Sequence, residues 1–422
     1  MKYSLLLLFT LLTACAQLPP LFATTSTPQA KVSGCSVQVG ILISLTGPLG
    51  GGRNQEQLNS MEMARDEINA QGGILGCPLQ FVIKDDASVI EKGTAAAKEM
   101  AEDSTVAIIV DTRPANAVLA AMVTLDRYDV PVLTPAVSTN LITQIGYRRI
   151  FRLAAAQSDI IRTLYNFLQT LPKAAQVRSL ATLHQLSTSG RPLFLAVEDE
   201  ASRRGVALII SEEYKPLSKD YRQQLRRIKS ANPDAVLFDA DELQDGVAIL
   251  QQAKELDLNP KMFLVTTGPF VRTAFLRAGS FNEYVLVGSQ WTADVPWRDD
   301  SGQNAQAFLQ KYSARFKAAP DHPGFIMTYT SIYVITRALE EAFASAPQNL
   351  TNGPRVRAEL TPALRRLKMP NSLFGPIKFD EDGQNQHPVL ITQVLGGKYA
   401  IVYPEAFRVQ AATVPVPGWT SR

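Results

Sequence analysis

An α/β protein built as two similar, doubly wound parallel-sheet lobes is what this sequence predicts. Three observations carry that expectation. Strand and helix signals alternate at the spacing of βαβ units from Val37 onward. The alternation restarts near Ser158, as a second unit would. The 422 residues, less an N-terminal export signal, leave about 400, more than one small core accommodates.

The chain opens with Met1-Lys2-Tyr3-Ser4, the apolar run Leu5 to Leu12, and Thr13-Ala14-Cys15. A basic start, a short apolar core and small residues before a cut site make an export signal. The run is far below the roughly 20 apolar residues of a membrane-spanning helix. Leu12-Thr13-Ala14-Cys15 resembles the lipobox of bacterial lipoproteins. That resemblance implies a signal peptide over 1–14 and a lipid on Cys15. The alternative is a secreted protein with a chance cysteine near the cut. Residues 15–35, rich in Pro, Thr, Ser and Ala, are expected to form a flexible tether.

A strand over Val37 to Leu45 comes first, then a helix over Gln55 to Asn69 with Leu58, Met61, Ala64 and Ile68 on one face. Leu79 to Lys84 reads as a strand. Ser88 to Asp103 reads as a helix opened by a capping box of Ser88 and Glu91. A strand (Val106 to Val110), a helix (Ala115 to Arg127) and a strand (Val130 to Thr134) complete the first unit. The second begins with a helix over Ser158 to Thr170, a strand over Leu180 to Leu183 and a helix over Gly190 to Arg204. Strands follow at Ala207 to Ser211, Ala235 to Phe238, Met262 to Thr266 and Tyr284 to Gly288, with helices between. Helices over Ala305 to Ala318, Phe325 to Ala344 and Val356 to Leu367 precede three short closing strands. The tail, 409–422, carries Pro415 and Pro417 without apolar periodicity and is expected to be disordered.

Composition and motifs exclude several functions. A net charge of +3 with scattered basic residues gives no nucleic-acid footprint. The three histidines, His184, His322 and His387, lack ligand spacing, so no metal is expected. No Gly-x-Ser-x-Gly elbow is present. Gly47 to Gly52 has the glycine spacing of a P-loop, but Arg53-Asn54 stand where Lys and Ser/Thr must be. With Cys15 set aside, Cys35 and Cys77 form an even pair, which in an exported protein suggests a disulfide. Each precedes a predicted strand, so parallel neighbours would bring both to one sheet edge. Two free thiols are the alternative.

Ligands of open α/β sheets bind beyond the carboxyl ends of the strands. Three loops converge there: Gly47 to Arg53 with Leu49, Asp111 to Asn116, and Thr134 to Asn140. They offer backbone N–H groups and the Ser138 and Thr139 hydroxyls, which suit a carboxylate. Equally, Ser138, Thr139 and Asn140 read as helix caps.

Ile41 to Asn69, Gly72-Gly73-Ile74-Leu75-Gly76, Asp85-Asp86-Ala87, Val130-Pro131, Thr134-Pro135, Phe151-Arg152-Leu153, Gly288 to Thr292 and Phe374 to Asp380 together resemble type I periplasmic (solute-)binding proteins. The resemblance spans roughly 36 to 405 and is closest to the branched-chain amino acid and amide receptors of ABC importers. It implies lobes joined by three hinge crossings near Leu153, Gln290 and Asn371. Lobe one is then 36–152 plus 291–370, and lobe two 153–290 plus 371–408. It further implies a lipid-anchored substrate-binding protein that captures a small polar solute (amino acid, amide or small carboxylate) between the lobes. The partners would be an ABC permease and ATPase complex. The protein would be a monomer, without cofactor or catalytic residues, in the periplasm or on the outer face of a bacterial membrane. A ligand sensor on the same fold, signalling to a membrane partner, is the alternative.

Carried over residue by residue, the resemblance puts Ser138 where the family holds the ligand carboxylate and Ala136 where Ser is common. Thr112, Arg113 and Asn116 stand in a loop that is usually Ser-rich. His184-Gln185 replaces a frequent His-Asp, and Ser189 a frequent Tyr. Amino-acid binders often place an acid near Thr267-Gly268-Pro269-Phe270. None stands here, and Asp239 or Asp241 can substitute or be plain turn aspartates. A guanidinium matches a carboxylate two-pronged, so Arg113 reads as a ligand contact or, equally, as a residue that faces solvent or pairs with Asp111.

Overall fold

The structure, a computed structural model, describes residues 34–187, 190–240, 242–266 and 272–422. The expected signal peptide, Cys15 and nearly all of the 15–35 tether lie outside these residues.

Lobe one is a parallel sheet of β1 (Val37–Ile43), β2 (Leu79–Asp85), β3 (Val106–Asp111), β4 (Val132–Thr134) and β5 (Ile150–Arg152), in the order β2-β1-β3-β4-β5. Lobe two repeats that order with β6 (Ser179–Gln185), β7 (Ala207–Tyr214), β8 (Ala235–Phe238), β9 (Met262–Val265) and β10 (Leu286–Ser289), arranged β7-β6-β8-β9-β10. A small ladder joins β11 (Lys368–Met369) to β12 (Ile377–Lys378). β13 (Leu390–Leu395) and β14 (Lys398–Tyr403) then extend lobe two to seven strands, both running antiparallel to their neighbours.

Alternation of side chains across the sheet explains the layering. Along β3 every residue is buried. Ile108 and Val110 face a core shared with Leu58, Met61 and Ala64 of the helix Gly52–Ala70 and with the helix Gly324–Phe343. Ile109 faces the opposite core, with Met100 of the helix Ile90–Glu102 and Val118 and Met122 of the helix Ala115–Leu125. Lobe two is likewise covered on both faces. Ile43 stands opposite Asp85 and Leu42 opposite Asp111, so the loops leaving β1, β2 and β3 start at one level. Cys35 and Cys77 are joined in a disulfide, with 5.3 Å between their Cα atoms, beside the pairing of Val37 with Leu79.

Three expectations are corrected. The capping box does not form: the helix begins at Ile90, and Ser88, at φ +63°, donates its hydroxyl to the Thr46 carbonyl and accepts the Leu49 N–H. The third crossing is not at Asn371. Leu373, Phe374, Ile377 and Phe379 still pack in the lobe-one core, and the chain passes over at Gln384 to His387. The tail is not disordered. Val414 and Val416 pack on the lobe-two core, and the Val416 N–H reaches the Lys261 carbonyl. Trp419 is buried against Phe263, with its indole N–H donating to the Leu258 carbonyl. Buried apolar side chains at wide, irregular spacing fasten an extended strap and leave no periodic signal.

Candidate functional site

A cleft of about 430 Å³ opens at the carboxyl ends of both sheets. It sits where the strand order reverses, between β1 and β3 in lobe one, the place where doubly wound sheets bind ligands. On the lobe-one side it is walled by Ser44, Leu49, Arg53, Asn54 and Gln57 after β1, Thr112 to Asn116 after β3, and Ala136 to Thr139 after β4. His322, Pro323 and Met327 complete that wall from the start of the helix Gly324–Phe343. Lobe two contributes Gln157, Ile160, Leu193, Asp239, Glu242 and Thr266, and Gln290 belongs to the second crossing.

The cleft therefore gathers Leu49, Thr112, Arg113, Asn116, Ala136, Ser138, Thr139 and Asp239, all of them candidates from the sequence. Ser189, Asp241 and Thr267 lie outside the described residues. His184 does not line the cleft: its ring stacks on Phe194 at 4.8 Å and its Nε2 meets Glu213 at 3.2 Å.

Ser138 and Thr139 are shaped by the loop between β4 and a four-residue helical turn, Leu141–Gln144. The Ser138 carbonyl accepts the Gln157 N–H at 2.8 Å. The Thr139 hydroxyl, on a residue only 3% exposed, has no hydrogen-bond partner. A buried polar atom left unmet in a cleft wall is the mark of a position that a bound molecule completes. The N-termini of the helices Gly52–Ala70 and Ala115–Leu125 also open on the cleft, and their N–H groups and dipoles favour negative charge there. Across from them, Asp239 at the end of β8 accepts the Thr266 hydroxyl at 2.7 Å. The wall thus has donors on lobe one and the carboxylates of Asp239 and Glu242 on lobe two.

Arg113 is gripped by the scaffold, although it lines the cleft and its Nη1 has no hydrogen-bond partner among the described residues. Its Nε and Nη2 grip Asp111 two-pronged at 2.9 and 2.7 Å, and its Nη1 lies 3.6 Å from Asp86. Burial lowers its pKa, but Asp111 and Asp86 outweigh that and raise it. The group is 1% exposed and serves as the buried prop of its own loop. Among the sequence alternatives, the pairing with Asp111 is present.

Sequence reasoning missed the wall made by Arg53, Gln57 and His322. Arg53 stands out in the sequence only as the wrong residue for a P-loop. His322 lies far along the chain, so nothing local ties it to the first loop. Burial holds its pKa down to about 3, with Arg53 and Arg272 adding to the effect. The ring is neutral, and its Nδ1 accepts the Gly324 N–H at 2.9 Å, which places the proton on Nε2.

All three crossings are stitched together behind the cleft. Gln290 Oε1 accepts the Ala155 N–H at 2.6 Å, and its carbonyl takes the His387 Nε2–H at 2.7 Å. Gln384 donates to the Ala154 carbonyl and Asn385 to the Leu153 carbonyl. Arg152, whose pKa burial lowers to about 10, joins Gln384 to the Thr139 carbonyl and so ties the hinge to the cleft wall.

Residues 36–398 match the family described as periplasmic binding protein. The Leu/Ile/Val-binding protein homolog 7 of Brucella suis is 22% identical over 399 residues, which cover 92% of this chain and 96% of that one. The leucine-, isoleucine-, valine-, threonine-, and alanine-binding protein of Pseudomonas aeruginosa is 22% identical, covering 82% of this chain and 87% of that one. Among solved structures, an ABC transporter substrate-binding protein of Sphaerobacter thermophilus superposes with a TM-score of 0.74 at 20% identity, covering 88% and 97% of the two chains. One from Desulfitobacterium hafniense, in complex with Leu, gives 0.68 at 21% identity, covering 87% and 99%.

Proposed function

The chain belongs to the periplasmic binding protein family, and from that premise we propose that it is the solute-capturing component of an ABC importer. It is a binding protein and not an enzyme. Its ligand is a small polar solute, an amino acid, amide or small carboxylate, taken up between the lobes and presented to a permease and ATPase complex. The observation that carries this reading is the two-sided cleft. Hydroxyls and helix N-termini line one lobe and the Asp239 carboxylate the other, so a ligand engaging both favours the closed form. Ser138, Thr139 and the loop amides hold its negative or carbonyl end, and Asp239 its positive or donor end.

The lipobox at Leu12 to Cys15 supports export and anchoring through Cys15, on the periplasmic or outer face of the membrane. Globomycin treatment tests this part: the precursor accumulates if Cys15 is lipidated, and unaltered processing refutes it. Solute capture is tested by a thermal-shift screen of amino acids, amides and small carboxylates, since a molecule binding only the folded form raises the melting temperature. A hit confirmed by calorimetry, with a reduced radius of gyration in small-angle scattering, supports the reading. A screen without any hit counts against it.

A further inference from the structure

We propose that the lobe-one end of the cleft is a subsite for an uncharged hydrogen-bonding group, of the carboxamide kind, and selects it over an aliphatic group of the same shape. This rests on the solute-binding reading above and narrows it.

Three side chains make the subsite. Ser44, just past β1, is 2% exposed, and its hydroxyl has no hydrogen-bond partner. Gln57, on the helix Gly52–Ala70, is 3% exposed, and its Oε1 has none either. His322 supplies Nε2–H, its Nδ1 being engaged by Gly324. All three line the cleft. They are held in place. Asn54 fixes the Ser44 carbonyl through its amide at 2.5 Å, and the Gln57 carbonyl accepts the Thr328 hydroxyl at 3.2 Å. The Gln57 amide lies against Gly324 so closely that a Cβ there would stand 2.6 Å from Nε2.

The chemistry of the set decides what it takes. One side chain presents an acceptor, one a donor, and the hydroxyl does either. A carboxamide, with an N–H₂ and a carbonyl, meets all of them. An isopropyl group meets none and leaves buried polar atoms unmet, which sites of this kind reject by large factors. A carboxylate would find little uncompensated positive charge here, because Asp111 and Asp86 offset Arg113, of which only Nη1 lacks a hydrogen-bond partner, and Arg53 stands at the exposed mouth.

L-Leucine, L-asparagine and L-aspartate have nearly the same shape and serve as probes in calorimetry with the full mature protein. Asparagine is expected to bind at least about 30-fold tighter than either of the others. Gln57→Leu should abolish the preference over leucine. Ser44→Ala, a milder change, should reduce it by roughly 3- to 10-fold, with unaltered melting curves showing that both variants fold. Leucine binding as tightly as asparagine overturns the subsite and leaves solute capture standing. Aspartate binding tightest overturns it in favour of Arg53 as the reader of that end. Binding of none of the three overturns it too. Capture itself falls only if the wider screen is also empty.

Discussion

Replacing Arg113 by Met should damage the fold far more than the affinity. The guanidinium is shared by two carboxylates that are themselves buried, Asp111 in a two-pronged pair at 2.7 and 2.9 Å and Asp86 at 3.6 Å. Methionine fills most of the volume but leaves two like charges facing each other out of water. Removing one partner from a buried ion cluster costs about 3–5 kcal/mol, most of it the penalty of the stranded charge. The triad also braces two cleft loops: Asp111 accepts the Arg113 N–H at 3.1 Å and Asp86 accepts the Ser88 N–H at 2.8 Å. Urea denaturation should therefore show a strong loss in Arg113→Met. Because the cost is stranded charge, Asp111→Asn added to Arg113→Met should recover part of it, a coupling of at least about 2 kcal/mol in a double-mutant cycle. Calorimetry on whatever ligand the screen supplies should find only a modest drop in affinity. A variant as stable as wild type that binds 30-fold or more weaker would refute the structural role and restore Arg113 to the ligand.

Removing the disulfide by Cys35→Ser with Cys77→Ser should destabilise lobe one by about 4 kcal/mol in the chain-entropy picture, since the bridge closes a separation of 42 residues; denaturation of the variant checks it, and an unchanged midpoint refutes it. Truncation before Val409 should lower lobe-two stability by roughly 2–4 kcal/mol, because it strips Trp419 and two valines from apolar contact, and should leave the disulfide intact on mass spectrometry. His387 gives a pH dependence. Burial lowers its pKa to about 4, below the 6.5 of an unfolded histidine, so its neutral form contributes fully above pH 6.5 and that contribution is lost as pH falls toward 4. The loss is about 3 kcal/mol, and His387→Gln should flatten the slope of stability against pH over that window; an unchanged slope rejects it.

Much of the fold is legible in the sequence because both periods are clean. The helix Gly52–Ala70 buries the Leu58, Met61, Ala64 and Ile68 stripe read from sequence, and β3 is apolar from Val106 to Val110, as a central parallel strand requires. What fails has a common cause. The strap ending in Trp419 and the passage at Gln384 to His387 are extended segments held by several scattered long-range contacts, and such contacts have no period. The missing cap at Ser88 fails for a related reason. Its hydroxyl is recruited by Thr46 and Leu49, whose loop is a neighbour only once β1 and β2 pair.

The cleft is legible in position and less so in chemistry, for a reason that follows from strand order. A loop's place at the carboxyl end of a strand is fixed by alternation alone, so the loops after β1, β3 and β4 can be named from the sequence. Whether a side chain within such a loop turns to the cleft depends on what else competes for it. Arg113 has Asp111 two residues away and Asp86 just past β2, and these two buried carboxylates claim most of its guanidinium, Nη1 alone lacking a hydrogen-bond partner. Thr139 has no competitor for its hydroxyl, although Arg152 holds its carbonyl. A charged residue in a binding loop is therefore the one most readily claimed by the scaffold. The uncharged Ser44, Gln57 and Thr139 of the cleft wall each keep a buried polar atom without a protein partner.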